Sequence, residues 1–309
     1  MNTICRMTTV SGASAAIASL ALTAGAHAWT EEDDGYGNAG DGTLPTPEVI
    51  SVTGIIRDFR GSDEPEGHVD FERTASAGAG VYCGNIAFLL NEDDKPVFTG
   101  EGFRIGEPWL DASGNVIAPH TYDEALGDQE GVRSVSNAGG INDGDTFNQW
   151  YRDVPGVNLS APLSLDLIRQ PDGTYLFSDE HDPEFAEIGG FFPIDDQHFG
   201  TGTGGHNFHF TFELHVEFRY DAADAQYIYF NGDDDAWIFI DDKLVIDLGG
   251  VHSASEQRFD VDRLGLTDGE LYRVSIYFAE RHRYSSTFEF RTSFPVRATP
   301  VPTVTSVGD

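Results

Sequence analysis

The sequence predicts an all-β domain, a sandwich or a barrel, with long loops inserted between its strands. Short runs rich in β-branched and aromatic residues alternate with Gly-rich turn segments. The clearest run spans Phe208 to Phe218, where apolar side chains occupy every second position and polar ones lie between them. Such a strand packs one face in the core and turns the other to water or to a covering loop. No helical periodicity of useful length follows residue 28.

Residues 1–28 have the pattern of a secretory signal peptide. Arg6 provides positive charge, residues 15–22 form an apolar run, and Ala26-His27-Ala28 is a small-x-small cleavage site. No apolar run is long enough for a membrane-spanning helix, so we expect an exported protein at the cell surface or outside the cell. Cleavage would leave Cys83 without an internal partner, as a buried apolar residue or as one half of an intermolecular disulfide.

Four segments follow from the composition of the chain. After the signal peptide, residues 29–48 are rich in Gly, Asp, Glu and Pro, which predicts a flexible acidic tether. Residues 49–296 form the β domain, with its first strand near Val49 and with loops and short hairpins over 60–150. Residues 297–309 contain no apolar anchor and are expected to be disordered.

Acidic residues greatly outnumber basic ones. The chain has 18 Lys and Arg against 52 Asp and Glu, for a net charge of −34. Such a surface repels nucleic acid and anionic membranes, which makes both unlikely partners. It suits divalent cations, and it also suits a high-salt environment in which screening relieves self-repulsion. A diffuse excess of acidic residues explains adaptation to high salt, whereas a cation-binding site needs clustered carboxylates.

The densest acidic cluster within a strand-rich region is Asp233-Asp234-Asp235. These residues form a short polar loop between apolar runs at 227–230 and 237–240, and a turn at 241–243 follows. Adjacent carboxylates repel one another unless all of them face water, and oxygen ligands without nearby thiols favour calcium. A solvated turn is the common alternative for such a run, and the spacing does not match a helix-loop-helix calcium loop. Asn142 to Asp145 is a turn segment and a weaker second calcium candidate.

The chain resembles fibro-slime domains, which are related to the PA14 β-barrel family. The segments that carry this resemblance are VTGIIRDF (52–59), HVDFE (68–72), WYRDVPGVN (150–158), FFPID (191–195), HNFHFTFELHVEF (206–218), GDDDAWIFIDDKLVIDLGGVH (232–252) and LYRVSIYFAERH (271–282). The resemblance implies a secreted or surface-exposed PA14-like β-barrel or sandwich with long inserted loops. In glycan-binding PA14 domains, two consecutive aspartates, often joined by a cis peptide, hold a calcium ion that takes sugar hydroxyls as further ligands.

The resemblance places the calcium-binding pair at Asp233 and Asp234, and the loop after the strand at 271–278 beside them. The candidate ligand-binding residues are Asp235, Glu280, Arg281, His282 and Tyr284, with Trp237 and Tyr151 as further candidates for stacking on a sugar. The resemblance favours a bracing role for some of 280–282. Trp237 lies in an apolar run, so a core position is the simpler interpretation.

The leading hypothesis is a non-enzymatic, calcium-dependent carbohydrate-binding or adhesion module, with an extracellular glycan or matrix polysaccharide as partner. One alternative is a matrix or surface-assembly protein that self-associates, in which calcium only stiffens loops. A glycoside hydrolase is less favoured, because no hydrolase motif occurs. A zinc site at His206 and His209 is also disfavoured, because positions three apart on a strand face opposite sides, unless the strand begins after His206.

Overall fold

Antiparallel strands dominate the computed structural model, which describes residues 46–300. The strands are β1 (Val49–Phe59), β2 (Tyr82–Cys83), β3 (Phe103–Glu107), β4 (Trp109–Leu110), β5 (Val116–Ile117), β6 (Val132–Ser136), β7 (Asn158–Arg169), β8 (Tyr175–Ser178), β9 (Phe210–Arg219), β10 (Tyr227–Asp233), β11 (Asp235–Ile240), β12 (Lys243–Leu248), β13 (Ser255–Asp260), β14 (Leu271–Glu280), β15 (Thr287–Thr292) and β16 (Arg297–Ala298). Two short α-helices, α1 (Gly144–Phe147) and α2 (Pro183–Ile188), and 3-10 turns at Pro119–Thr121, Glu124–Leu126 and Val261–Leu264 complete the described elements. The predicted all-β class is confirmed. The predicted signal peptide, most of the tether and most of the tail lie outside the described residues.

The main sheet is 11-stranded and curls into a nearly closed barrel. Its strand order is β12-β11-β14-β9-β1-β7-β8-β15-β10-β13, and β16 pairs with β9 beside this path. The end strands β12 and β13 are consecutive in the chain and approach each other at the seam. Consequently β10 and β11, although adjacent in sequence, lie on opposite sides of the seam, and the chain crosses it at residues 233–235.

Aromatic side chains fill the barrel interior. Phe210, Phe212, Leu214, Val216 and Phe218 of β9 all point inward, as the alternating sequence predicts. The opposite face of β9 is covered rather than wet near its start, because the Thr211 hydroxyl donates to the backbone carbonyl of Trp150 at 2.6 Å. The long insertion between β1 and β7 thus packs on the outside of the barrel.

A second apolar cluster joins that insertion to the barrel. Trp150, Tyr151 and Phe147 of the insertion pack against Trp237 of β11 and Tyr277 of β14. All six residues of β11 are buried, because the barrel covers one face of this strand and the insertion covers the other. A strand buried on both faces has a continuous apolar run in place of alternation, which explains the segment WIFI.

Three smaller predictions can be compared with the structure. Asp241 and Asp242 have φ of 50° and 63° and form the expected tight turn between β11 and β12. Cys83 is buried, with its Sγ 3.0 Å from the carbonyl oxygen of Asp247. Arg297 and Ala298 pair with β9, so the ordered chain continues past the predicted boundary at 296. No helix within residues 46–300 is long and apolar enough to cross a membrane.

Candidate functional site

The three aspartates lie where the chain crosses the seam of the barrel. Asp233 ends β10, Asp235 begins β11, and the peptide between Asp233 and Asp234 is cis. Gly232 directly precedes Asp233, and its φ is not positive. A Cβ there would come within 2.7 Å of the Thr287 carbonyl oxygen, so glycine is required by the close approach of β15.

Asp233 is held from the β15 side of the seam. Its Oδ1 accepts from the backbone N–H of Thr287 at 2.6 Å, and its Oδ2 accepts from the hydroxyl of Ser285 at 2.6 Å. Burial raises the pKa of this carboxyl, although these two hydrogen bonds act in the opposite direction. The side chain therefore has a fixed orientation while its negative charge has no cationic partner in the described part of the chain.

Asp234 is held by the loop after β12 and by the start of the loop between β14 and β15. Its Oδ1 accepts from the backbone N–H of His252 at 3.1 Å, and its Oδ2 accepts from that of Arg281 at 3.2 Å. Burial raises its pKa well above the ordinary value; the Arg281 charge opposes this shift, and Asp235 and Asp233 reinforce it. The segments after β12 and after β14 thus converge on one carboxylate.

Asp235 forms a closed ion pair with Arg281. Its Oδ2 lies 2.5 Å from Nε of Arg281, both side chains have no exposed surface, and Oδ1 accepts from the Gly250 N–H. Arg281 also donates to the backbone carbonyls of Asp70 and Gly139 in the insertion. Arg281 therefore braces the aspartate crossing, which the resemblance favoured, and neither it nor Asp235 lies where a ligand from solvent would touch it.

Glu280 brings a further carboxylate to the same place. It is fully buried at the end of β14, and Oε1 accepts from the backbone N–H of His282 at 3.1 Å. Its Oε2 has no hydrogen-bond partner among residues 46–300. Burial raises its pKa well above the ordinary value, and the charges of Asp234 and Asp233 raise it further.

The charges in this site do not balance. Asp233, Asp234, Asp235 and Glu280 are all buried, whereas Arg281 is the one buried guanidinium among them and already pairs with Asp235. A buried charge without a partner is strongly unfavourable, so the remaining carboxyls must take up protons or a cation. We call Asp233, Asp234 and Glu280 the acidic cluster.

Tyr284 directly precedes Ser285, whose hydroxyl donates to Asp233 of the acidic cluster. Its side chain is 85% exposed and stacks on His282, with ring centroids 5.1 Å apart and planes 12° apart. The His282 Nε2 lies 3.4 Å from the Thr74 hydroxyl, so the insertion supports the imidazole. Trp237 and Tyr151 are instead buried core residues, and the idea that they stack on a sugar is wrong.

The other candidate metal residues have structural roles. Asp143 caps α1, accepting from the backbone N–H of Thr146 at 2.9 Å, which accounts for the acidic turn at 142–145. His206 pairs with Asp195 and His209 pairs with Glu72, so the two imidazoles have separate partners. Within residues 46–300, no group of three or more His, Cys, Asp or Glu side chains is spaced to hold a metal ion.

The oxygen donors of the acidic cluster fit calcium in chemical type. Carboxylates are hard ligands, and the unpartnered Oε2 of Glu280 is a buried acceptor with unused capacity. Asp233 and Asp234 would supply two side-chain ligands, so backbone carbonyls, water or ligand hydroxyls would have to complete the six to eight oxygens that calcium takes. Ser285, Thr287 and His252, which orient the pair, were not found from the sequence as parts of this site.

A protein-family model, the PA14 domain, matches residues 193–298. The match contains β9 to β16 and thus the whole aspartate crossing. The resemblance to the fibro-slime and PA14 families is confirmed, and so is the PA14-like barrel.

Curated relatives from Dictyostelium discoideum match about half of this chain. Protein psiD is 38% identical over 161 residues, which cover 50% of this chain and 30% of psiD. Protein psiQ is 36% identical over 166 residues, which cover 50% of this chain and 16% of psiQ. The match therefore spans less than a third of each relative. Among solved structures, the chain is similar to a PA14 sugar-binding domain from an RTX adhesin, with 10% identity, 78% of this chain and 88% of that domain covered, and a TM-score of 0.24.

Proposed function

We propose that this protein is a secreted, calcium-dependent carbohydrate-binding or adhesion module of the PA14 type. The observation that carries the proposal is the buried charge imbalance at the crossing: Asp233, Asp234, Asp235 and Glu280 have one buried guanidinium among them, that of Arg281. An external cation would remove the buried charge imbalance. A sugar could then meet both the ion and the ring of Tyr284.

Each part of the site has a distinct task in this proposal. Asp233 and Asp234 would hold the ion, which when bound supplies positive charge and coordination positions for vicinal hydroxyls. Ser285, Thr287 and His252 orient the two carboxylates by hydrogen bonds. Tyr284 offers an apolar ring face to the C–H face of a pyranose, and His282 supports it from behind.

The expected partner is an extracellular glycan or a matrix polysaccharide. The similar domain from the RTX adhesin is a sugar-binding domain. Secretion is proposed from the signal-peptide pattern of residues 1–28. We propose a non-enzymatic role, because the buried acids are oriented by hydrogen bonds within the crossing and are not arranged around an open cleft.

A structural role for calcium is the second candidate. Asp233 and Asp234 are only 3% and 4% exposed, which leaves little surface for direct contact with a sugar. In that case the ion would lock together the loops after β10, β12 and β14, and the protein would assemble through another surface. Calcium-dependent self-association without competition by sugar would favour this role.

A glycan array with and without EDTA tests the first candidate. We expect wild-type protein to be retained only with calcium, and Asp233→Asn and Asp234→Asn to lose retention while keeping a cooperative melting transition. Asp241→Asn is the matched control, because Asp241 lies in the exposed turn after β11. Retention by both variants equal to wild type would rule out the proposal, and release of sugar products would favour a hydrolase.

A further inference from the structure

A cavity of about 410 Å³ lies on the outside of the barrel, away from the acidic cluster's carboxylates. The insertion forms one wall with Val81, Ile105 of β3, and Trp109 and Ile117 of the β4–β5 hairpin. The barrel forms the other wall with β10 and β13. Its volume falls within the range of about 300–1,000 Å³ that is usual for small-molecule sites.

Most of the cavity wall is apolar. Trp109 is 4% exposed and lies in this wall with aliphatic side chains around it. The indole N–H of Trp109 is a hydrogen-bond donor on this wall.

The polar groups of the cavity come from the barrel wall. Asn231 of β10 pairs directly with Glu256 of β13, and both line the cavity. The side-chain amide of Asn231 supplies both a donor and an acceptor. Glu256 accepts from the hydroxyl of Tyr229 through Oε2 at 2.6 Å, which leaves Oε1 for another donor. A few polar groups on an apolar wall are typical of ligand sites.

We propose that this cavity binds a small aromatic compound that is neutral or cationic and has an N–H or O–H donor on its edge. The Trp109 indole and the aliphatic side chains suit the faces of a ring. The Glu256 carboxylate would accept a hydrogen bond from the N–H or O–H of the ligand. The Asn231 amide and the Trp109 N–H would donate to an acceptor atom of the ligand. An anion is disfavoured both by Glu256 and by the net charge of −34.

This site does not depend on the proposed calcium site. None of the carboxylates of the acidic cluster lines the cavity, although Asn231 precedes Asp233 by two residues on β10. Binding can therefore be measured in EDTA. We expect it to survive in Asp234→Asn, so a failure of one proposal is distinguishable from a failure of the other.

Three probes with the same ring and different charges test the proposal. Indole is neutral, tryptamine is cationic and indole-3-acetate is anionic at pH 7. In titration calorimetry with the full chain, we expect tryptamine to bind most tightly and indole-3-acetate roughly tenfold more weakly than tryptamine. Absence of saturable binding by all three, or tightest binding by indole-3-acetate, would overturn the proposal.

Variants of the cavity wall locate the binding. Ala254 lines the cavity and is exposed, so Ala254→Phe should fill the space and abolish binding without disturbing the core, whereas Ala254→Ser should bind like wild type. Glu256→Gln keeps the shape and removes the charge, so tryptamine should lose its advantage over indole. A melting scan verifies that each variant is folded. Wild-type binding by a folded Ala254→Phe would place the probes elsewhere and refute the assignment.

Discussion

Glu213 and the acidic cluster are both buried acidic sites of one barrel, but their charges are balanced differently. Glu213 accepts from Nη1 of Arg57 and Nε2 of His215, each at 2.9 Å, and it also pairs with Lys95. Burial opposes ionisation of Glu213, but His215, Lys95 and Arg57 outweigh it and lower its pKa to about 2. In the acidic cluster, burial raises the pKa of every carboxyl.

This difference in charge balance distinguishes an acid whose charge is neutralised within the chain from acids whose charges are not. Glu213 links β1, β9 and the insertion, and its charge is neutralised within the chain. The acidic cluster has rigid hydrogen bonds but lacks positive charge beyond Arg281. Native proteins keep buried charges paired. The unpaired charges of the acidic cluster are therefore consistent with the proposed ligand site, whereas the paired charge of Glu213 is consistent with a structural role.

The largest expected effect is on stability, from Glu213→Gln. The change leaves the buried guanidinium of Arg57 and the ammonium of Lys95 without their shared carboxylate. Breaking a buried pair in this way costs about 3–5 kcal/mol of unfolding free energy. Urea denaturation at pH 7 measures the loss.

Glu217→Gln is the matched control for this comparison. Glu217 lies on the same strand and pairs with Arg297, but its side chain is 33% exposed. Exposed pairs contribute about 0–1 kcal/mol, so the control should unfold nearly like wild type. An equal loss of unfolding free energy in both variants would show that the buried ion pairs of Glu213 stabilise the fold no more than the exposed pair of Glu217.

Calcium should produce the next largest effect, at the acidic cluster. At a concentration 100 times its Kd, a ligand that binds only the folded state adds about 2.7 kcal/mol of stability. For a domain of this size, that corresponds to a rise in Tm of about 5–10 °C. Differential scanning calorimetry with calcium and with EDTA measures the rise.

Asp234→Asn should abolish the response of Tm to both calcium and EDTA. Without calcium the variant should be at least as stable as wild type, because it lacks one buried charge that nothing neutralises. Asp241→Asn should respond to calcium like wild type. A rise in Tm with calcium that persists in Asp234→Asn would place the ion elsewhere. The acidic cluster would then not differ from Glu213 by requiring an external cation.

The barrel was more predictable from the sequence than the contacts around it. Alternation identified β9, and the apolar runs around Asp233 identified β10 and β11, because each pattern is local. The pair Asp233 and Asp234 was also visible in the sequence. The partners of that pair were not, since His252 lies in the loop after β12, whereas Arg281 and Thr287 lie at the two ends of the connection between β14 and β15. A backbone N–H has no sequence signature, and the topology that brings such loops together depends on long-range pairing.

Asp247 is a third kind of buried acid, which is protonated in the folded state instead of being paired with a cation. Burial raises its pKa to about 7, and its Oδ1 has no partner in the described part of the chain. The folded state therefore holds a proton that the unfolded state, with an ordinary pKa near 3.8, releases between about pH 4 and pH 7. Stability from this group is present below about pH 4 and is lost as the pH rises towards 7.

Asp247→Asn should remove this pH dependence. Asparagine keeps an acceptor for the Gly84 N–H and stays neutral at every pH. Relative to wild type, the variant should gain roughly 1–2 kcal/mol between pH 5 and pH 7. Asp58, with a pKa of about 7, contributes the same trend to both proteins and cancels in the difference. A constant difference across this pH range, measured by urea denaturation, would contradict the proton assignment.

The smallest effect on stability should come from substitution of Tyr284. Its effect on glycan binding can therefore be measured without a change in the stability of the fold. The side chain is 85% exposed, so Tyr284→Ala should change the unfolding free energy by less than about 0.5 kcal/mol. If the ring stacks on sugar, the same change should weaken calcium-dependent glycan retention severalfold, whereas Tyr284→Phe should retain it. Full retention by Tyr284→Ala would leave the ion as the sole contact for the glycan. Since Asp233 and Asp234 expose so little surface, that outcome would favour the structural role of calcium over recognition.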